Sequence, residues 1–425
     1  SFEDCINNGN ISGSGKYVGG FVGYIDSNTN VSMTISNSIN NGNVTGSNSI
    51  GGFIGIVDMI GETAHVLMNN CTNNGAINGG KAVGGFTGQM NQAEHSGVSI
   101  SCSKNLGVVT GRDDVGSFFG QLYIRKNMSV QMIHDTNSGD IASEGNVGGF
   151  IGKLVNPATV VIANCSNNGS IKVRGRRYYV GGIIGVIRGG NTPQPSKLVL
   201  SSINNDHSIV VLCNSCSVGG LIGNVSEMVF VDIVIQDVTT NGLMVVNGSG
   251  TNSSIGGFIG STTENSNLTL EISHSANHFD ISSQHVNKVG GFIGSLTNTK
   301  NIINEPKITF TNCSNKGMMI CDDASFVGGL VGYVSHVESV DIVDCENNGI
   351  INATENSPNV GGLIGWYTNE KNVIVTPVVT ISNSTNKGKI TLTKTQVGIA
   401  GGFIGVVHDS IGVTLNIRNC TNDVD

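Results

Sequence analysis

Apolar residues along this chain alternate with polar ones in short bursts, and the bursts recur. Val31-x-Met33-x-Ile35, Leu268-x-Leu270-x-Ile272 and Val413-x-Leu415-x-Ile417 each place a long or branched apolar side chain at every second position. A period of two with this composition predicts a half-buried strand. A shorter burst follows it, as in Gly42-x-Val44, Gly75-x-Ile77, Gly169-x-Ile171-x-Val173 and Gly388-x-Ile390-x-Leu392. Between the two lies Asn-Asn-Gly or Asn-Lys-Gly, whose residues accept left-handed backbone and so read as a turn. The third apolar piece is a glycine phrase with its tail, such as Gly148-Gly149-Phe150-Ile151-Gly152-Lys153-Leu154. No run shows the 3.6-residue period of an amphipathic helix.

The glycine phrase occurs twelve times, with first residues at 18, 50, 83, 115, 147, 180, 218, 255, 289, 327, 360 and 400, so the steps run from 32 to 40 residues. Such a period means an array in which each unit buries its apolar face only against its neighbours. The predicted fold is therefore all-β: a β-helix-like solenoid of about twelve coils, three short strands to a coil, covering residues 1–425 as a single repeat array. A β-propeller is the competing architecture, but its blades need about 40 or more residues and four strands. The paired glycines fit a sharp corner or a backbone approach too close for a Cβ. Both ends fall in mid-repeat, at Asp4-Cys5 and Asn419-Cys420, and this phase suggests a segment of a longer protein.

In a register-locked stack, equivalent positions become columns. Asn37, Asn70, Asn164, Asn312, Asn383 and Asn419 fall in phase with the apolar residues of the alternating strand. Cys102, His134, Ser201, Asp237, His274 and Asp344 fill the same slot elsewhere. This slot is expected on the buried side, as a hydrogen-bond ladder at a corner. The next column holds Cys5, Cys71, Cys165, Cys313, Cys345 and Cys420, with Ser38, Ser202, Ser275 and Ser384 in other coils. Only Cys313 and Cys345 fall in adjacent repeats, and the spacing of stacked strands suits a disulfide, so this is the candidate bridge. Cys213-x-x-Cys216 lacks a second ligand pair and reads as a local bridge or two free thiols.

Gly supplies 61 of 425 residues and charged residues only 12%. Net charge is −8, with Lys and Arg thinly spread, which argues against nucleic acid or an anionic membrane surface as partner. No apolar stretch reaches spanning length, so no membrane insertion is expected in this segment. N-glycosylation sequons fall at Asn10, Asn30, Asn43, Asn127, Asn168, Asn224, Asn247, Asn252, Asn267 and Asn352. Five more lie in the Asn column, at Asn70, Asn164, Asn312, Asn383 and Asn419, and are expected inward and unmodified.

Candidate chemistry is sparse. Asp113-Asp114 is the one carboxylate pair beside a glycine phrase, but acid–base work on a polysaccharide needs further acids and basic subsites, and the equivalent loops offer only Lys81 and Glu144. His274-x-x-x-His278 runs from a strand end into a turn and reads as coincidence. Trp366-Tyr367 is the one exposed-looking aromatic pair. No catalytic, cofactor-binding or metal-binding residues are assigned, and no cofactor is expected. Specificity is expected where the units vary, in the longer repeats beginning at 180, 289 and 360.

The phrase Gly-Gly-(Phe/Leu/Ile)-(Ile/Val)-Gly followed by Val-x-Ile-x-Asn-(Cys/Ser)-x-Asn-x-Gly-x-Ile resembles the GLUG-type repeat. Gly361-Gly362-Leu363-Ile364-Gly365 and Gly328-Gly329-Leu330-Val331-Gly332 match it most closely, and Ser117 departs from it in the fourth copy. Such repeats occur in large bacterial surface proteins and adhesins and in surface proteins of parasitic protists; the Cys column and the abundant Asn are similar to the protist versions. The resemblance implies extracellular or cell-surface display and a structural or adhesive, non-enzymatic role. Partners would be neighbouring repeats of the longer chain, identical copies, or surface glycans and proteins. A self-assembling filament component is the alternative, and a carbohydrate-active β-helix a lesser one.

Overall fold

The computed structural model describes residues 1–27, 31–59, 64–91, 96–124, 127–189, 195–249, 252–298, 306–354, 358–369, 376–393, 398–408 and 412–424. The described residues are all-β, with parallel strands stacked as a β-solenoid of about 11 turns. Packing divides the chain into two compact units, Ser1–His207 and Ser208–Asp425, each holding six of the glycine phrases. No helix in the described residues is long and apolar enough to cross a membrane.

Each coil runs through four sheets, not three. The alternating strand, Val31–Ser36 in the second coil, belongs to sheet A. Two dipeptide strands, Ile39–Asn40 and Val44–Thr45, form sheet B. The start of the glycine phrase, Asn48–Gly51, is sheet C, and its tail, Ile54–Met59, is sheet D. The three expected pieces are present, but the glycine phrase is folded back on itself and supplies a strand to each of two sheets. The loops from sheet D to the next sheet A vary in length. Residues 190–194, 299–305 and 370–375, in the longer repeats beginning at 180, 289 and 360, lie outside the described residues.

The glycine pair is required by crowding. Among the described glycines only Gly242 and Gly412 have positive φ, so left-handed backbone is not the reason. A Cβ on Gly51 would stand 2.0 Å from the Ile54 carbonyl oxygen, and one on Gly52 2.6 Å from Asn73 Oδ1. Sheets C and D pack backbone to backbone at this fold, and between the glycines and the tail the Phe side chain turns into the core. In the first unit Phe21, Phe53, Phe86, Phe118 and Phe150 stack with centroids 4.7 to 5.0 Å apart.

The polar ladder exists, but in a different column from the one expected. Asn37, Asn70, Asn164, Asn312, Asn383 and Asn419 are exposed, each with φ near +50°. Asp4, Cys102, His134, Ser202, Asp237, His274 and Asp344 hold the same left-handed corner between sheets A and B, so Ser202 and not Ser201 is the member from that coil. Asn, Asp and His tolerate this conformation better than other side chains. The left-handed residue breaks the strand's alternation, so it points out and the following residue points in. That following column is buried at Ser38, Cys71, Ser103, Asp135, Cys165, Ser275, Cys313, Cys345 and Ser384.

Two residues further on lies the buried ladder. In the first unit Asn7, Asn40, Asn73, Asn105, Asn137 and Asn167 are joined Nδ2 to Oδ1 at 2.7 to 2.9 Å. In the second unit Thr240, Asn277, Asn315, Asn347, Asn386 and Asn422 continue the pattern at 2.8 Å. Most amides also donate to a turn carbonyl, as Asn40 does to Gly42 and Asn105 to Gly107. Such an amide satisfies the Asn-x-Gly turn of its own coil and the amide of the next, and it adds to the backbone carbonyls that crowd a Cβ out of the second glycine of the phrase.

Candidate functional site

With the inward columns committed to stacking, the outward side chains of sheets C and D are where the coils differ. The outward residue of sheet C sits between the outward residues of sheet D in its own and the following coil. Phe326 thus meets Tyr333 of its own coil and Trp366 of the next, both at 5.0 Å between centroids. The result is a zipper along the crevice between the two sheets, and its chemistry changes along each unit.

In the first unit the crevice holds the acidic pair. Asp114 lies in a left-handed conformation with its side chain 1% exposed, while Asp113 is 42% exposed. Asn146 Nδ2 donates to Asp114 Oδ1 at 2.8 Å, and Gln121 Nε2 donates to Oδ2. The backbone N–H groups of Asp114 and Asn146 donate to Asp113 Oδ1. Lys81 Nζ lies 3.9 Å from Asp113 and 4.0 Å from Asp114. Burial first, and then the Asp113 charge, push the Asp114 carboxyl above its usual range. Both acids are spent on holding the corner, and Glu144 forms no part of their contacts in the described residues.

The second unit carries a polar stretch followed by an aromatic one. Ser217 Oγ and Asn224 Nδ2 both reach Ser261 Oγ at 2.7 Å. Further along, Lys288 Nζ lies 4.7 Å from the Tyr333 ring centroid, and Trp366 lies 4.9 Å from His408. Trp366 and Tyr367 do not act as a pair: alternation sends Tyr367 into the core, 1% exposed, and Trp366 out to the zipper. Phe326 packs tilted against both rings, at 48° to Tyr333 and 57° to Trp366, so these aromatics are engaged with one another.

Cys313 and Cys345 stand in register but are free thiols in the structure, correcting the candidate bridge. The thiol hydrogen bond to Cys313, and then burial, push Cys345 well above the ordinary range. The bridge present is Cys213–Cys216, between sheets B and C. Burial pushes Cys165 and Cys321 up to about 12. His274 holds an exposed corner and His278 a half-buried strand position, and among the described residues no group of three metal-capable side chains occurs.

Of the sequons, Asn10, Asn43, Asn127, Asn168, Asn247 and Asn252 are exposed, Asn267 and Asn352 half-buried, and Asn30 lies outside the described residues. Asn224 is fully buried in the crevice, so it is not a glycan site in the folded chain. The five column sequons, expected inward, are exposed instead. Lys and Arg are not thinly spread throughout, contrary to the sequence reading: four fall at 172–177, where alternation places Lys172 and Arg174 on one outward face. Comparison with family models, with curated proteins and with solved structures finds no match in any of the three.

Proposed function

We propose that this chain is a non-enzymatic structural and adhesive segment of an extracellular or cell-surface protein. The supporting observation is the division of labour across each coil. Inward positions repeat the same ladders of Asn, Phe and small polar residues. Outward positions differ within each unit: Tyr24, Lys81 and Arg177 are exposed in the first, and Lys307 is exposed and Trp366 half-buried in the second. A scaffold that holds its core constant while its surface varies suits the display of side chains. The resemblance to GLUG-type repeats supports the same reading.

The test is location and contact. Antibody raised against the folded chain should label intact cells that make it, and beads coated with the chain should adhere to a cell or matrix surface. Labelling that appears only after permeabilisation would overturn the proposal.

A further inference from the structure

The chain is acidic overall, yet four of its 22 Lys and Arg fall within six residues: Lys172, Arg174, Arg176 and Arg177. Ile171–Arg174 is a sheet B strand of the first unit and Arg177–Gly181 the sheet C strand that follows, with the bend at 175 and 176 between them. Ile171 and Val173 point into the core, and all four cations are exposed.

The bend is braced from beneath. Tyr178 folds back so that its hydroxyl accepts the Arg176 backbone N–H at 2.5 Å. A Cβ on Gly175 would stand 2.1 Å from that same oxygen, so the brace needs glycine there. Asn146 Oδ1 on the neighbouring coil accepts the Tyr179 N–H at 3.2 Å and ties the strand after the bend. Among the described residues none of the four cations forms an ion pair. Tyr179 is exposed next to them.

Three guanidinium groups on one braced turn suit oxyanions, because each planar fork donates two parallel N–H bonds to a carboxylate or sulfate. A turn already held in shape pays little ordering entropy on binding. We propose that residues 172–179 bind an acidic polysaccharide, its sulfate or carboxylate groups held by Arg174, Arg176 and Arg177, with Lys172 extending the contact. The proposal rests on the extracellular reading above and names its ligand class. Duplex nucleic acid is disfavoured because its dense charge would extend past the turn over a chain of net charge −8. A lipid surface is disfavoured because the turn offers it a single exposed aromatic, Tyr179, while Tyr178 is folded back onto the bend.

The test uses the full chain, titrated at about 0.15 M salt with heparin, polygalacturonate, a DNA duplex and phosphatidylserine vesicles. Heparin or polygalacturonate should bind more tightly than the other two. Arg176→Ala/Arg177→Ala should weaken that binding about tenfold or more, and Lys104→Ala, at an exposed sheet B position of the same unit, should leave it unchanged. Tyr178→Phe, which removes only the brace, should cost a few-fold with the circular dichroism spectrum intact. No polysaccharide binding, tighter binding to DNA or vesicles, or indifference to the double variant would each overturn the proposal. The display role would stand in any of these cases, because it is read from labelling of intact cells.

Discussion

Asp135 is the residue whose replacement tells most about how the columns work. It occupies the inward column after the left-handed corner, where most other coils have Ser or Cys, and it is 0% exposed. The Ser103 backbone N–H donates to Oδ1 at 2.8 Å, while Oδ2 has no hydrogen-bond partner. Burial pushes the carboxyl from 3.8 up to about 7, with the backbone hydrogen bonds to Ser103 and Ile133 opposing it. The folded value is raised, so folding favours the protonated acid. Below about pH 3.8 both states hold the proton and there is no penalty. Between there and pH 7 the unfolded chain gives up its proton first and stability falls as pH rises; above pH 7 the loss is complete. The rise corresponds to a ceiling of about 4 kcal/mol. Asp135→Asn and Asp135→Ser remove the charge, and Ser can bond as Ser38 does to the Ser36 carbonyl. Urea unfolding at pH 4, 6 and 8 should show both variants gaining on the parent protein with pH, by about 2–4 kcal/mol at pH 8. Parallel pH profiles, differing by less than about 0.5 kcal/mol between pH 4 and pH 8, would refute the reasoning.

Asn105→Ala should cost about 2–4 kcal/mol, because it strands Asn73 Nδ2 and Asn137 within the buried ladder. Asn41→Ala, in the exposed ladder between Asn8 and Asn74, should cost under about 0.5 kcal/mol by the same denaturation assay. Gly84→Ala would set a Cβ 2.0 Å from the Thr87 carbonyl oxygen and should abolish soluble folded protein, whereas Gly15→Ala meets nothing within 4 Å and should match the parent in melting temperature. Iodoacetamide at neutral pH, mapped by peptide mass, should label exposed Cys102 first; Cys165 and Cys321, buried and raised to about 12, should react only after unfolding.

Much of the fold was legible because each signal was both periodic and local. Val31-x-Met33-x-Ile35 alternates for long enough to declare its strand, and twelve glycine phrases in step declare the stack. The Asn ladder was misplaced by one rule: alternation was carried through Asn37 as though the strand continued. Its φ of 49° is set by the corner and turns the side chain outward, which moves the buried amide to Asn40. The same slip turned the column sequons inward, whereas Trp366 and Tyr367 look like neighbours on one surface only while the alternation of their strand is ignored. The cations at 172–177 were missed for a related reason, since interleaved Ile171 and Val173 disguise an outward row as a mixed segment.

The sequence by itself determined the period, the all-β class and which residues are apolar and inward, because these depend on spacing along one coil. Only the tertiary structure decided that the glycine phrase serves two sheets, which Asn column is buried, that Asp113 and Asp114 hold a corner, and that Tyr178 braces a turn of arginines. Those features arise between coils, where residues some 32 to 40 positions apart meet. A ladder partner, a crowding carbonyl or a crevice neighbour is set by register and by the hand of a single corner residue, and neither is encoded in the alternation of one strand.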